Sequence, residues 1–264
     1  MFDIYKRLWQ INWAEQWQYR ANTLMYLAYW LVSPIVYLAI WTTVAHTQGN
    51  VNGLTAEDFV AYYMMLLIVD ISTSQITIHI FGYRIVDGSL SNMLVLPVHP
   101  MLTQVLVNNI AFKALQFVAL IPIWIVLYIL YQPVLNITLV NVLLAIPVLT
   151  LAFMINFFIG GIITCIAFWT TRVWNIWDFY TAIWALMAGQ FVPLTLLPGV
   201  LQRVAEVLPF LLVLYFPIQL LLGKVTVQDA LIAMLWQCMW VVVFFIGFQL
   251  IWRTGIKKFS AVGA

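Results

Sequence analysis

The longest uncharged stretch of the chain is residues 114–171, ALQFVALIPIWIVLYILYQPVLNITLVNVLLAIPVLTLAFMINFFIGGIITCIAFWTT. An α-helix needs about 20 apolar residues to cross the hydrocarbon core of a bilayer, so these 58 residues are too many for one crossing. The turn-forming residues 131–136, YQPVLN, divide the stretch. The pattern therefore predicts two membrane spans, at about 103–131 and 138–168.

The composition of all 264 residues extends this conclusion to the rest of the chain. Hydrophobic residues make up 65% and charged residues 8%, about a third of the ~25% that is typical of soluble domains. So few polar side chains cannot cover a water-exposed surface, which excludes a soluble enzyme, a nucleic-acid-binding protein and a disordered chain. The sequence predicts an all-α integral membrane protein whose partner is the lipid bilayer, with 13 Trp and 12 Tyr available for its two interfaces.

Four further apolar stretches bring the prediction to six transmembrane helices in a single transmembrane domain, residues 1–264. These spans lie at about 22–45, 59–81, 176–197 and 230–252. Within residues 198–228, the stretch 207–223 is apolar but interrupted by Pro209 and Pro217, which predicts re-entrant or outer helices between spans five and six. The alternative is a seventh span, which would place the two termini on opposite sides of the membrane.

The N-terminal segment, residues 1–20, predicts an interfacial helix before the first span. At 100° of rotation per residue, its apolar side chains share one face and its polar ones the other. The apolar face comprises Phe2, Ile4, Tyr5, Leu8, Trp9 and Ile11, and the polar face comprises Asp3, Lys6, Arg7 and Gln10. Such a helix lies on the membrane surface, either as a plain anchor or as a contact for another protein.

The distribution of basic residues predicts the orientation of the protein. With six spans and the N-terminus inside, the cytoplasmic set is Lys6, Arg7, Arg20, Arg84, Lys113, Arg172, Arg253, Lys257 and Lys258. The outer set is Arg203 and Lys224. The positive-inside rule therefore predicts a protein of the cytoplasmic (inner) membrane with both termini in the cytoplasm.

Span two carries four polar residues at positions i, i+3, i+4 and i+7, namely Asp70, Thr73, Ser74 and Thr77. In a continuous helix they form one stripe. A carboxylate at mid-membrane costs about 2.5–3.5 kcal/mol on the insertion scale, so Asp70 is expected to face protein or a wet cavity. No lysine or arginine of another span is predicted at the same depth, which favours an uncharged Asp70. The stripe is either part of a translocation path or a helix contact, within one subunit or across a dimer.

Spans four and five contain small and polar residues at helical spacing. Asn156, Gly160 and Thr164 lie on span four, and Ala185 and Gly189 lie on span five. Small residues allow two helix backbones to approach closely. We interpret both stripes as helix packing.

The loop between spans two and three, residues 82–100, predicts a short cytoplasmic helix. Asp87 or Ser89 can cap it, and Pro97 ends it. Its apolar side comprises Leu90, Met93, Leu94 and Leu96, for which the sequence offers no partner within the chain. Such a face predicts a docking element for a second protein, or else a helix that lies against the bilayer.

Several motifs resemble those of one family. Asp87-Gly88-Ser89-Leu90, followed by Leu94 and Pro97, is similar to the coupling-helix motif of permeases of the type-2 ABC exporter family. The signature of that family after span five resembles GQFVPL at 189–194, LP at 197–198, LPF at 208–210, YFP at 215–217 and Gly223. The ending KKFSAVG at 257–263 is similar to that of a prokaryotic subfamily. With the amphipathic start and six spans, the resemblance covers essentially the whole chain.

The resemblance implies a six-helix permease subunit that works in a pair, with either an identical chain or a paralogue. A separate ABC ATPase would dock on the first cytoplasmic loop through Arg84, Asp87, Gly88, Leu90, Leu94 and Pro97. The helices between spans five and six would form an outer gate that includes Phe191, Pro193, Pro198, Pro209 and Pro217. ATP and Mg²⁺ would bind the partner subunit.

The residues themselves predict no catalytic and no metal-binding group. The sequence contains no G-x-x-x-x-G-K-[ST], no H-E-x-x-H, no G-x-S-x-G and no Cys/His cluster. We therefore expect a non-enzymatic permease without a cofactor of its own, which moves a lipid, glycolipid, peptide or drug. The rival hypotheses are a stand-alone secondary transporter or channel, which needs ion-coupling groups and usually internal repeats, and a membrane enzyme that acts on lipids.

Overall fold

A computed structural model describes the backbone of residues 2–260 and the side chains of residues 4–260. This part of the chain is helical and contains no β-strand, as the sequence predicts. Its α-helices are α1 (Phe2–Gln18), α2 (Arg20–Gln48), α3 (Ala56–Thr73), α4 (Tyr83–Val86), α5 (Leu90–Leu94), α6 (Leu106–Tyr131), α7 (Leu139–Cys165), α8 (Val173–Met187), α9 (Gly199–Val207), α10 (Phe210–Val213), α11 (Tyr215–Leu221) and α12 (Val227–Gly255). The all-α membrane fold predicted from composition is confirmed.

Five helical stretches are long and apolar enough to cross a membrane: Arg20–Gln48, Ala56–Val86, Pro100–Tyr131, Leu139–Phe168 and Val227–Gly255. They contain spans one to four and six of the sequence prediction. Each stretch has about 30 residues, which is 45 Å of helix. That length exceeds the hydrocarbon core, so the helix ends reach the interfaces.

The fifth span is shorter than predicted, because α8 ends at Met187 and not near residue 197. Its 15 residues cover only about 22 Å. Two contacts near its ends join α8 to the second span: the Trp174 and Tyr83 rings lie 4.6 Å apart at one end. At the other end the Tyr62 hydroxyl donates to the Gly189 carbonyl. Gly189 has a positive φ of 88°, which turns the chain away from the helix.

The segment between α8 and α12 enters and leaves the bundle at the same end. The Phe191 carbonyl accepts a hydrogen bond from Tyr63, and Lys224 forms a salt bridge of 2.9 Å with Asp58. Both partners lie within the first three turns of α3. Between these points α9 and the α10–α11 pair are bent by 71°. By length and composition the bent pair is either a broken span or a re-entrant segment. The two attachments at one end of the bundle favour the re-entrant course, which stays a prediction for residues 198–228.

The second span is broken, which the sequence did not predict. The helix α3 ends at Thr73, residues 74–76 are not helical, and a π-helical turn then covers Ile78–Gly82 before α4. The expectation of one continuous stripe over Asp70, Thr73, Ser74 and Thr77 is therefore wrong. Asp70 and Thr73 lie on α3, whereas Ser74 lies in the break and Thr77 follows it.

The N-terminal helix α1 lies beside α6, to which the Asn108 side chain connects it by donating to Asn12 over 2.6 Å. Ile4, Tyr5, Trp9 and Ile11 of the predicted apolar face are exposed, as a membrane-facing surface requires. The side chains of Phe2 and Asp3 and the tail residues 261–264 lie outside the described part of the chain.

Candidate functional site

The break in the second span exposes backbone carbonyls that side chains of two other helices satisfy. The end of a helix leaves carbonyl groups without an intrahelical partner. Lys113 Nζ, on α6, donates to the carbonyls of residues 71, 72 and 74. Asn156, on α7, donates to the carbonyl of Thr73 over 3.0 Å. All four carbonyls from 71 to 74 are therefore bound by side chains.

The amide groups after the break are bound in the same way. The Ile76 amide donates to Asn109 Oδ1 over 2.8 Å, and the Thr77 amide donates to Gln75 Oε1 over 2.6 Å. Asn109 and Lys113 are four residues apart and share one face of α6. The bare backbone of Gly160 on α7 leaves the space that the Gln75 side chain fills. The break is thus determined by α6 and α7 together.

Asp70 lies in the last turn of α3 and is 5% exposed. Gln190 Nε2 approaches its Oδ2 to 3.5 Å, the limit for a hydrogen bond. The Lys113 ammonium group lies close enough to interact with this carboxyl group, although the two make no salt bridge within 4.0 Å. The prediction that no basic residue lies at this depth is therefore wrong. Lys113 therefore does not belong to the predicted cytoplasmic set of basic residues, because its ammonium group lies inside the helix bundle.

A cavity of about 530 Å³ opens beside the break. Its lining comes from α2, the second span, α7 and α8: Tyr26, Tyr29, Trp30, Ser33, Tyr37, Asp70, Ser74, Gln75, His79, Asn156, Trp174, Trp177, Asp178, Tyr180, Thr181, Ala182, Trp184, Ala185 and Gln190. Aromatic side chains dominate this lining, and its acidic members are Asp70 and Asp178. The volume lies within the range of pockets for small molecules.

Three residues of this lining carry N–H groups that are buried without a hydrogen-bond partner in the described part of the chain. They are Gln75 Nε2, Trp174 Nε1 and Trp184 Nε1. Buried donors without a partner carry a free-energy cost of about 1–3 kcal/mol each. The cavity therefore combines apolar walls with a few donors and acceptors, the combination typical of a ligand site.

A second cavity, of about 720 Å³, lies between α1, α2, the π-helical turn and α5. Tyr26 and His79 line both cavities. The two cavities therefore meet at these side chains, and together they extend from the end of the bundle that carries residues 87–99 to the break.

The segment that follows the second span begins with a tight turn around Gly88. Asp87 Oδ1 accepts hydrogen bonds from the amide and the hydroxyl of Ser89, and these bonds hold the pKa of the Asp87 carboxyl below its ordinary value. Gly88 has a φ of 81°, which favours glycine. Arg84 is exposed one turn earlier and lies near Asp87.

The helix α5 is shorter than predicted, with residues 90–94 only, and its apolar side is divided. Leu90 and Met93 are packed in the main hydrophobic core, with Leu90 completely buried. The expectation that Leu90 lies free on a docking face is therefore wrong. Leu94, Val95 and Leu96 remain exposed, with Val95 83% exposed, and Pro97 is exposed beside them.

A second π-helical turn, Pro100–Val105, leads from this segment into α6. His99 caps it, since its Nδ1 accepts from the Leu102 amide over 3.3 Å. Burial lowers the pKa of His99, and its ring lies 5.0 Å from that of Trp252. The exposed segment is thus held at both ends by π-helical turns, which are rare in proteins and frequent at functional sites.

The residues predicted for an outer gate lie in the re-entrant segment. The Phe191 carbonyl accepts from Trp41 and Tyr63, and its ring makes an edge contact with Tyr37. Pro193 and Pro198 precede a 3₁₀ turn and α9, Pro209 precedes α10, and Pro217 is buried within α11. Pro193, Pro198 and Pro209 thus each precede the first residue of a short helix, as their fixed φ favours.

Sequence analysis missed Lys113, Asn109 and Gln75, which build the break. One signal was available: Lys113 is the single Asp, Glu, Lys or Arg residue between 88 and 171. A lone charge between apolar residues indicates an intramembrane position better than an interfacial one. The stripe of Asn156, Gly160 and Thr164, in contrast, was interpreted as helix packing without a named partner, and the structure places Asn156 and Gly160 against the broken span.

Comparison with protein families supplies the identification. The family model described as ABC-2 family transporter protein matches residues 31–263, nearly the whole chain. The chain belongs to the ABC-2 transporter family. Comparisons of this ABC-2 permease with curated proteins and with solved structures found no match. The resemblance drawn from the motifs is confirmed, and family members are the membrane components of ABC transporters.

Proposed function

We propose that this ABC-2 permease is the membrane subunit of an ATP-driven exporter that moves an amphipathic substrate across the cytoplasmic membrane. The substrate belongs to the lipid, glycolipid, peptide or drug class. A separate ABC ATPase binds ATP and Mg²⁺ and docks on residues 82–100. Two permease chains, identical or paralogous, form the membrane part, with both termini of each in the cytoplasm.

The observation that carries this proposal is the direct connection between the exposed segment and the cavity wall. Ser74 and Gln75 line the central cavity at the break. Only the π-helical turn and α4 separate the break from Asp87, where the exposed segment begins. A displacement of that segment by an ATPase is therefore transmitted to the cavity wall along one short helical stretch.

The cavity supports an amphipathic substrate, because its walls are mainly aromatic and its polar groups are few. The surface beside the cavity supports a second permease chain. Tyr29 on α2 and Phe179 on α8 are 76% and 70% exposed. Lipid can cover such side chains, but a second chain would also close the cavity from that side and separate its polar groups from the hydrocarbon.

A secondary transporter remains the rival mechanism, and the observation that favours it is the broken span, with the ionisable residues Asp70 and Lys113 beside the break. Membership in the ABC-2 family favours the ATP-driven mechanism. Transport in vesicles distinguishes them. Transport that requires ATP and persists when ion gradients are abolished supports the exporter, whereas transport that a gradient drives without ATP contradicts it.

The docking proposal is tested by affinity purification of the tagged permease in a mild detergent. An ATPase with a G-x-x-x-x-G-K-[ST] motif should be recovered with it, and the permease alone should hydrolyse no ATP. Val95→Asp should reduce ATPase recovery about tenfold or more, because a charge at an apolar contact costs at least 1.4 kcal/mol. The matched control is Val200→Asp, which changes a valine that is 76% exposed on α9. Equal recovery with both variants would show that the ATPase docks elsewhere.

Leu90→Asp serves as a second control in the same experiment. Because Leu90 is completely buried, this variant should lower the unfolding temperature of the permease itself. Val95→Asp should leave that temperature unchanged, so loss of docking and loss of folding are separated.

The orientation is tested with single cysteines in a background without Cys165 and Cys238. A cysteine at Gly49 should react with an impermeant reagent from outside intact cells, whereas one at Lys257 should not. Reaction at Lys257 from outside would contradict cytoplasmic termini and revive the seventh span.

A further inference from the structure

The environment of Lys113 Nζ resembles that of a bound metal or ammonium cation. Its ammonium group donates to the carbonyl of residue 71 over 2.7 Å, to that of residue 72 over 2.8 Å, and to that of Ser74. The Phe153 ring lies 4.5 Å from Nζ, in position for a cation–π contact. These carbonyls end α3, where the helix dipole places partial negative charge.

Three carbonyl oxygens that converge on one point repel each other unless a cation lies between them. Rings of backbone carbonyls in channels solve the same problem by replacing the hydration shell of an ion. In this chain the cation is covalently attached, so it needs no free ion and its effective concentration at the carbonyls is high.

We propose that the break in the second span is a cation-binding site whose occupant is the tethered ammonium group of Lys113. A chain that lacks this ammonium group should accept a free primary ammonium ion, or an alkali cation of similar size, in its place. This proposal does not depend on the proposed docking and transport, because it concerns only how the broken backbone of the second span is stabilised.

Two substitutions of Lys113 distinguish the effect of losing the charge from the effect of opening a space. Lys113→Ala removes the atoms from Cγ to Nζ, which have the size and shape of n-propylammonium, and leaves the carbonyls in place. Lys113→Met removes the charge but fills most of the space, so a free ion cannot enter. Both variants leave Asn109 and Asn156 in place to bind the rest of the break.

The experiment measures the unfolding temperature of the purified permease in detergent through the fluorescence of its 13 Trp residues. Each variant is measured near neutral pH, where primary alkylamines are protonated. The added salts are the chlorides of choline, potassium, ammonium and the ethyl-, n-propyl- and n-butylammonium ions at equal ionic strength. The bulky choline ion is the reference.

We expect both variants to unfold at a lower temperature than the wild type in choline. In the Lys113→Ala variant, n-propylammonium should raise the unfolding temperature by about 2–4 °C, in a saturable manner and more than its shorter and longer homologues. The wild type and the Lys113→Met variant should not respond.

The proposal is overturned if the Lys113→Ala variant responds to no cation more than the Lys113→Met variant does, or if it cannot be isolated folded even with n-propylammonium present throughout. It is equally overturned if both variants are as stable as the wild type in choline. None of these readouts requires an ATPase or transport, so failure here is distinguishable from failure of the proposed exporter function.

Discussion

The second and the last spans begin in the same way and end differently. Thr55 and Asp58 form a reciprocal capping box at the start of α3, and Thr226 and Asp229 form the same box at the start of α12. The helix α3 then ends after 18 residues, in the middle of the bundle, whereas α12 continues for 29 residues. The comparison teaches that a helix start is a local property here, whereas the break depends on other helices.

Burial accounts for the difference. In the most apolar part of Ala56–Val86, 72% of the residues are buried inside the protein. In the most apolar part of α12, only 17% are buried. A helix that faces lipid must satisfy its own backbone, because hydrocarbon offers no hydrogen-bond partner. The buried span can break because Lys113, Asn109 and Asn156 supply the missing partners.

The largest expected effect comes from filling the space beside the break. Gly160→Leu should destabilise the protein by about 3 kcal/mol, at the upper end for overpacked sites. A Cβ there collides with Gln75, which is buried and holds the Thr77 amide. The matched control is Gly247→Leu on α12, where a Cβ meets only the flexible end of Ile162.

Unfolding in mixed micelles of mild detergent and SDS measures both glycine variants. The Gly247 variant should change stability by less than about 1 kcal/mol, because better helix propensity offsets the contact. Equal losses of unfolding free energy in the two glycine variants would contradict the proposed difference between the second and the last spans.

A smaller effect is expected when one donor to the break is removed. Asn156→Leu leaves the Thr73 carbonyl buried without a partner, which should cost about 1–3 kcal/mol. Gln237→Leu on α12 is the comparison, since Gln237 donates to the carbonyls of Val148 and Leu212.

The Gln237 variant should lose less stability than the Asn156 variant in the same unfolding assay. Substitution of Gln237 also removes an oxygen, Oε1, that is buried without a partner within residues 4–260, and this gain offsets part of the loss. A larger loss at Gln237 would show that the unbroken span depends on side-chain bonds as much as the broken one.

The two capping boxes should contribute equally. Thr55→Ala and Thr226→Ala each remove one side-chain cap and should each cost about 1 kcal/mol. The boxes have the same residues, and their backbone-amide bonds have closely similar lengths. Unfolding free energies that differ by more than the experimental error would therefore contradict a purely local origin of the helix starts.

The smallest effect concerns the salt bridge between Asp58 and Lys224. The Asp58 carboxyl group accepts hydrogen bonds from the amide and the hydroxyl of Thr55 and from Lys224 Nζ. The bond from Lys224 joins the start of α3 to the segment that precedes α12.

The expected loss at the Asp58 salt bridge is about 0.2–1 kcal/mol, since the pair is partly exposed. Unfolding free energies of the wild type and the Lys224→Met variant, measured in the same mixed micelles, check it. A loss larger than that of the Thr55→Ala variant would contradict the assignment.

Much of the fold followed from the sequence because hydrophobic length is a local quantity. The spans at 22–45, 138–168 and 230–252 are present with small extensions, because an apolar stretch in lipid has no alternative to a helix. The fifth span was predicted too long, since composition alone does not show that the chain turns at Gly189. The site was predicted less well. Asp70 lines a cavity, one of the two surroundings expected for it, whereas Leu90 is buried and Lys113 was assigned to an interface.

By itself, therefore, the sequence determined that the chain is an all-α membrane protein, where most spans lie and which family it resembles. Composition, span length and short motifs are local properties that do not depend on contacts with other helices. Only the tertiary structure decided that the second span breaks at residues 74–76. A helix breaks inside a bundle only where other helices bind the freed backbone groups, and the three side chains that do so lie between 33 and 83 residues away along the chain. No local pattern around Ser74 contains that information.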